Sequence, residues 1–427
     1  MNTPAQESIR CQHSIAGPCR LIYKPFTYCA RARCHNGFRG IMKAQYLAVI
    51  VVLGLTLAPG PARAQSPQAT SVFQVVHTPN ENFDNGLLAS SASSPSDIWA
   101  VGQSTIHFDG TAWTAFPAPM IKGDNTSQLN GVVDISPTLA WAAGIVNIGE
   151  ANPGQVIEHW NGTEWSVYPG PQFPSGYQPS IYGMTAVSST DIWTVGSALV
   201  DNESLLALFE HWDGSAWKAT TGVLYGFPSA VSADASNDIW VVGCGNFSER
   251  YNGTSWALVE APNVGTGPNC LSGVVALAPD NVWAVGYSTA SQKPPPGQYD
   301  VPTETLIEHY DGTAWSVVPS PNVGPNSQYQ SNQLRSITAV SPTDIWAFGS
   351  YFAASGSENQ MTLLLHWDGT SWSLVECPSP KPGNFMDDIL YSGVVTAPGS
   401  VWIVGSLAPA AEGKPVTATF VLHTTGG

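Results

Sequence analysis

Three observations predict an all-β fold. One tryptophan phrase recurs seven times, Gly and Pro are dense throughout, and the last repeat lacks a strand that reappears near the N-terminus. Together they predict a seven-bladed β-propeller of four-stranded blades, its ring closed by an N-terminal strand completing the C-terminal blade. The chain has 427 residues with 41 Gly, 34 Pro and 16 Trp; 43% are hydrophobic and 11% charged. Gly and Pro at that density would interrupt helices everywhere. Many aromatics with little charge argue against disorder, and Gly without a three-residue period excludes a collagen.

In chain order, residues 1–41 come first. They hold six bases, one acid (Glu7) and four of the seven cysteines, Cys11, Cys19, Cys29 and Cys34, whose spacing matches no zinc pattern. They are expected to be a misassigned extension ahead of a true start at Met42, the alternative being a long cytosolic n-region. Residues 42–64 read as a secretory signal peptide: Met42-Lys43, an apolar run from Ala44 to Ala58, Pro59 and Pro61, then Ala62-Arg63-Ala64. The run is short for a permanent span of about 20 residues. Cleavage is expected near Ala64, leaving residues 65–427 as one secreted propeller domain, extracellular or periplasmic, with no stable membrane span. Eight of the 15 bases and one of the 31 acids precede residue 65, so that domain keeps 7 and 30, a formal charge of -23. Nucleic-acid binding needs a basic footprint and is not expected.

The repeats follow. Asp97-Ile98-Trp99-Ala100-Val101-Gly102 returns around Trp193, Trp240 and Trp346, with looser copies at Trp141, Trp283 and Trp402, at a period of about 50 residues. A second phrase, as in His159-Trp160-Asn161-Gly162-Thr163-Glu164-Trp165, follows the first six, the others ending at Trp113, Trp217, Trp256, Trp315 and Trp372. With Trp160, Trp212 and Trp367 these account for all 16 tryptophans. Each repeat reads as four strands: a small apolar strand such as Ser272–Leu277, the Trp phrase, a strand such as Thr305–Tyr310, and one such as Trp315–Val318. Asp311-Gly312 and its equivalents make the last turn, because that pair tolerates positive φ. The seventh repeat stops at His423 without its second Trp. Phe73-Gln74-Val75-Val76 lines up with Trp315-Ser316-Val317-Val318 and supplies the missing strand, which removes exposed sheet edges.

These phrases resemble those of secreted bacterial β-propeller repeat proteins over roughly residues 72–423. The Asp-Gly-Thr-x-Trp hairpin is similar to the Asp-box turn of sialidase-type blades, one residue shorter. A sialidase would need three Arg to clamp its substrate, and residues 65–427 hold two, Arg250 and Arg335. The resemblance implies the fold and no particular activity.

The repeated His107, His159, His211, His309, His366 and His423, with Arg250 in the remaining position, are spread over different blades and cannot share one metal ion. Each is expected to pair with the Asp that opens the Trp phrase, as Asp97 with His107 and Asp344 with His366. The Trp of the phrase, Trp99, Trp141, Trp193, Trp240, Trp283, Trp346 and Trp402, are expected to form the packing between blades. Cys244 and Cys270 fall in loops on one face and are a candidate disulfide in a secreted protein; Cys377 is left over. No nucleophile elbow, phosphate loop or zinc signature is present, and neither catalytic residues, metal nor cofactor are expected.

A ligand is expected on the face of the variable loops, opposite the uniform turns. Its candidate residues are Tyr177, Tyr182, Tyr225, Phe227, Tyr287, Tyr299, Tyr329, Tyr351, Asp387 and Asp388. The reading is a monomeric, non-catalytic propeller binding an extracellular glycan or protein. The alternative is a carbohydrate-active hydrolase or lyase with its carboxylates at the channel mouth.

Overall fold

The structure is a computed structural model. It describes residues 73–424 apart from 81–83, 117–118, 120–126, 148–153, 202–203, 223–225, 290–301, 324–330, 353–359, 379–384 and 410–416. The extension 1–41 and the signal segment 42–64 lie outside the described residues. Among the described residues the regular structure is entirely strand.

One unit shows how the phrases become strands. Cys270–Ala278 pairs antiparallel with Asn281–Thr289, which pairs with Thr303–Tyr310, which pairs with Trp315–Val317. Second strands are apolar without alternation because both their faces are covered: every residue of Asp97–Gly102 is buried. Fourth strands bury only their Trp; in Trp315–Val317 the next two side chains are exposed. The Asp311-Gly312 turn joins the third strand to the fourth. Gly312 has φ +91°, where a Cβ would be strained. Asp311 Oδ1 accepts the Thr313 hydroxyl at 2.5 Å and the backbone N–H of Thr313 at 2.9 Å and of Ala314 at 3.0 Å, and these donors, the hydroxyl foremost, hold its carboxyl down at about 2.

The unit recurs along the chain. Leu87–Ala115, Gln128–Val167 and Tyr177–Thr221 each fold into a separate four-stranded sheet. Two eight-stranded sheets are each a pair of such units joined at one residue pair, Cys244 with Cys270 and Gln360 with Asp387. In one of these units the strands Phe385–Ala397, Ser400–Pro409 and Ala418–Thr424 are completed by Phe73–Val76, with Phe73 opposite Thr424. The architecture is a β-propeller.

Blades are joined by aromatic packing. Each phrase Trp meets aromatics of the following unit: Trp99 meets Trp160 at 4.9 Å and Trp165 at 5.0 Å, Trp141 meets Trp212 at 5.1 Å, and Trp283 meets Trp367 at 4.9 Å. Trp240 packs on Tyr310 and Trp315, and Trp193 on Tyr251 and Trp256. Trp346 meets Phe73 edge-on at 5.7 Å, and Trp402 meets Phe108 at 4.7 Å. Such rings bury large apolar areas and dominate core energetics. On the inner side, first strands touch first strands. The Ser90 N–H donates to Ser392 Oγ at 3.1 Å, and Asn130 Nδ2 donates to the Ile181 carbonyl at 2.7 Å.

Candidate functional site

The last residue of the Trp phrase explains the geometry of the inner strands. A Cβ on Gly349 would collide with the carbonyl oxygen of Gln333. Gly102 stands in the same relation to Gly86, and Gly405 to Ile389; Gly144, Gly196, Gly243 and Gly286 repeat it. The backbones can approach this closely because each first strand carries a bulge there. Leu334 pairs with Gly349 and Ser336 with Phe348, leaving Arg335 as the extra residue. A bulge of this kind re-aims a side chain and recurs next to functional sites.

Every described blade has one. Leu88, Asn130, Tyr182 and Ser229 are the extra residues in the first four. Ser272, Arg335 and Tyr391 follow. Each is half-buried. This bulge lies toward the variable-loop end of each first strand; a second one, at Ser93, Ile135, Val187, Asp234, Leu277, Val340 and Thr396, sits beside the uniform turn. The repeat fixes the backbone at this position and leaves the side chain free to differ.

The guanidinium of Arg335 lies over the ring of Tyr391, 5.1 Å from its centroid. Burial raises the Tyr287 hydroxyl above its ordinary pKa, and the nearby Arg335 charge partly opposes that shift. Among the described residues Lys218 pairs with Asp213 at 2.5 Å and Arg250 with Asp238 at 2.6 Å, whereas Arg335 has no carboxylate partner. Its Nε is buried with no hydrogen-bond acceptor.

The sequence candidates sit close to this position but not in loops. Tyr177 and Tyr182 belong to strand Tyr177–Ser188, Phe227 opens Phe227–Ala235, Tyr287 lies in Asn281–Thr289 and Tyr351 in Asp344–Phe352. Strands run past the Trp phrase into segments that had read as loops, because backbone pairing requires no particular side chain there. Tyr177 stacks on Phe173 at 6.3 Å, and the Tyr182 hydroxyl accepts from Ser197 Oγ at 3.3 Å. Phe227 is 41% exposed, and Tyr351 is half-buried against a core cluster. Asp388 is buried in Phe385–Ala397. Asp387 is placed by its backbone in the same strand, its side chain outside the described residues. Tyr225, Tyr299 and Tyr329 also lie outside them.

Cys244 and Cys270 are disulfide-bonded with Cα atoms 3.9 Å apart. They occupy the end of one strand and the start of another, and not loops. Cys377 is free, its thiol pushed up to about 11 by burial.

The repeated His face the residue that opens the Trp phrase. His107 Nε2 lies 2.6 Å from Asp97 Oδ1, while His211 with Asp191 and His366 with Asp344 are at 2.8 Å. Asn281 replaces the Asp opposite His309 at 2.9 Å, and Ser400 opposite His423 at 3.1 Å. Leu139 takes the place opposite His159, whose pKa burial lowers. Among the described residues no group of three or more His, Cys, Asp or Glu is placed to hold a metal ion.

Two features were missed in the sequence, the first although it recurs at one position of the repeat. The residue before the repeated His is a buried Glu in four blades: Glu158, Glu210, Glu249 and Glu308. Burial raises Glu210 to about 7 and Glu308 to about 8. Asp134 is raised to about 7 by burial and by the charge of Asp97, and accepts the Ser93 N–H at 2.9 Å.

No family model matches the chain, and no curated protein matches it. Solved structures do. The chain is similar to YCF48 bound to D1 peptide, at 14% identity and TM-score 0.50, covering 83% of this chain and 97% of that one. It is similar to the WD40 β-propeller domain of Doa1, at 11% identity and TM-score 0.50, covering 83% and 98%. The extracellular domain of the one-component system BT4673 from B. thetaiotaomicron matches at 14% and 0.50, over 82% of this chain and 39% of that one. These likenesses support the propeller fold. No helix among the described residues is long and apolar enough to cross a membrane.

Proposed function

We propose that the chain is a non-catalytic binding propeller that takes a peptide or protein segment on its variable-loop face. One observation carries the reading. The repeat standardises the backbone of every inner strand at its bulge, yet the seven bulged side chains are of five kinds, Leu, Asn, Tyr, Ser and Arg, and Tyr182, Tyr287 and Tyr351 lie in strands near that end. The opposite face is built from first-to-second-strand turns of one length. A rigid scaffold with variation confined to one end is how binding surfaces are made. The neighbour bound to D1 peptide supports a peptide over a glycan.

The reading includes seven blades in a closed ring, with Phe73–Val76 as the last blade's fourth strand, within one domain of residues 65–427. It includes export after cleavage near Ala64, with residues 1–41 outside the native product. An extracellular neighbour supports export. Mass spectrometry of the native N-terminus checks it: a first residue near Gln65 is expected, and peptides from 1–41 in the mature protein would overturn it. For function, the full chain is offered immobilised peptide and glycan arrays. Retention of peptides without cleavage is expected; retention of glycans alone, or product release, overturns the proposal.

A further inference from the structure

We propose that Arg335 receives a carboxylate carried by the bound peptide, with Tyr391 holding the guanidinium in place. The inference rests on the peptide-binding reading and adds the chemical group that reads the ligand.

The first support is the uncompensated charge. Residues 65–427 carry a formal -23, so carboxylates are abundant, yet Arg335 has no carboxylate partner among the described residues. The second is the buried Nε without an acceptor. A buried donor left without an acceptor is costly, more so when it carries a charge. A structural arginine avoids that cost, as Arg250 does by donating from Nε to Asp238 at 2.6 Å. The third is placement. Arg335 is the bulged residue of its inner strand, and Tyr391 is the bulged residue of the next. The bulge turns the arginine away from the ladder, and the Tyr391 face at 5.1 Å fixes its plane by a cation–π contact.

A planar guanidinium offers parallel N–H donors that match a carboxylate bidentately. A single such group within a strongly acidic domain suits a monoanion; a phosphate or polyanion would meet the remaining field with one cation to offset it. The carboxylate has two sources in a peptide, its C-terminus or an Asp or Glu side chain.

Three degenerate octapeptide pools separate these on the full chain, by affinity selection and mass spectrometry. One lacks Asp and Glu and ends in a free carboxylate. One is amidated and carries a single Glu. One is amidated and lacks acids. Retention of the first or second at tenfold or more over the third is expected, with the preferred pool naming the source. Arg335→Gln should abolish the preference, and Arg335→Lys should retain part of it, with thermal melts of both variants matching the parent. Equal retention of all three pools would overturn the carboxylate and leave the peptide reading standing. If no pool is retained, the peptide reading fails, and N-acetylglycine against its amide decides the rest. A saturable shift of the Arg335 Nε–H NMR resonance with the acid alone supports the carboxylate site, and no shift overturns it.

Discussion

Arg250 Nε donates to Asp238 Oδ1 at 2.6 Å, in the position where the other blades place a histidine. The guanidinium also lies 5.0 Å from the Trp240 ring centroid and 5.9 Å from that of Tyr310. Asp238 is almost fully buried, so removing its partner strands a charge. Arg250→Ala is expected to cost about 2–3 kcal/mol, below the range of about 3–5 for breaking a fully buried pair, because the arginine is itself about a quarter exposed. Arg250→His restores the arrangement of Asp97 with His107 and should recover most of the loss. Urea melts of the two variants check this; equal losses would refute a repeat-equivalent pair.

The glycine that ends each Trp phrase is needed for the bulge beside it. Gly349→Ala would place a Cβ on the Gln333 carbonyl, and backbone cannot move aside as a flexible side chain can. Its loss should exceed about 3 kcal/mol, in the range of the most severe single substitutions. Gly154, which a Cβ would leave with nothing within 4 Å, is the control; Gly154→Ala should lie within about 0.5 kcal/mol of the parent. Denaturant midpoints of the pair decide it.

That glycine also shows where the sequence is legible and where it is not. The Asp-Gly turns are legible because their chemistry is local, Gly312 needing positive φ, and the Trp phrases because every blade repeats the same contact, as Trp283 makes with Trp367. A bulge leaves no pattern in the strand that carries it. Its trace is the invariant glycine on the neighbouring strand, which reads from sequence as a mere strand end. Arg335 therefore stood out only as a residue too few for a sialidase clamp. Tyr182, Tyr287 and Tyr351 read as loop residues from the sequence and lie in strands. Glu158, Glu210, Glu249 and Glu308 recur beside the repeated His or Arg250, but their burial was not legible, because a strand glutamate ordinarily faces water.

Those glutamates set a pH dependence. Burial raises Glu210 to about 7 and Glu308 to about 8, against 4.5 for an ordinary glutamate. The folded protein holds these protons at pH values where the unfolded chain has released them. Their stabilising contribution is complete below about pH 4.5 and is lost as pH rises through 7 to 8. Glu210→Gln with Glu308→Gln should flatten the fall in unfolding free energy between pH 5 and 8, and raise stability at pH 8 relative to the parent. Parallel slopes for parent and variant would show that both groups titrate normally.

The disulfide joins two blades that otherwise share no other ladder pair, Cys244 lying opposite Cys270. It closes a loop at a sequence separation of 26, for which chain-entropy reasoning gives about 3.5 kcal/mol. Cys244→Ser with Cys270→Ser should lose about that amount, and dithiothreitol should shift the parent's melt to match. A parent insensitive to reductant, with a variant equally stable, would mean the bond adds nothing to the blade junction.

Phe73 tests the split blade most directly. It opens Phe73–Val76, lies opposite Thr424, and occupies the place that a tryptophan holds in the other fourth strands. It is 4% exposed and meets Trp346 edge-on at 5.7 Å. Thr78 Oγ1 and Thr419 Oγ1, 2.6 Å apart, and the Thr419 N–H donating to Asn80 Oδ1 at 2.8 Å continue the attachment beyond the strand. If this strand fastens the last blade, Phe73→Ala removes a buried ring at the junction and should cost about 3–5 kcal/mol. Val75, two residues on and 46% exposed, shares the strand without the packing, so Val75→Ala should change stability by less than about 0.5 kcal/mol. Deleting residues 66–80 should go further and leave an aggregating protein with an unpaired edge at Ala418–Thr424. A deletion variant that melts cooperatively at the parent's temperature, or a Phe73→Ala no worse than Val75→Ala, would refute closure by the N-terminal strand.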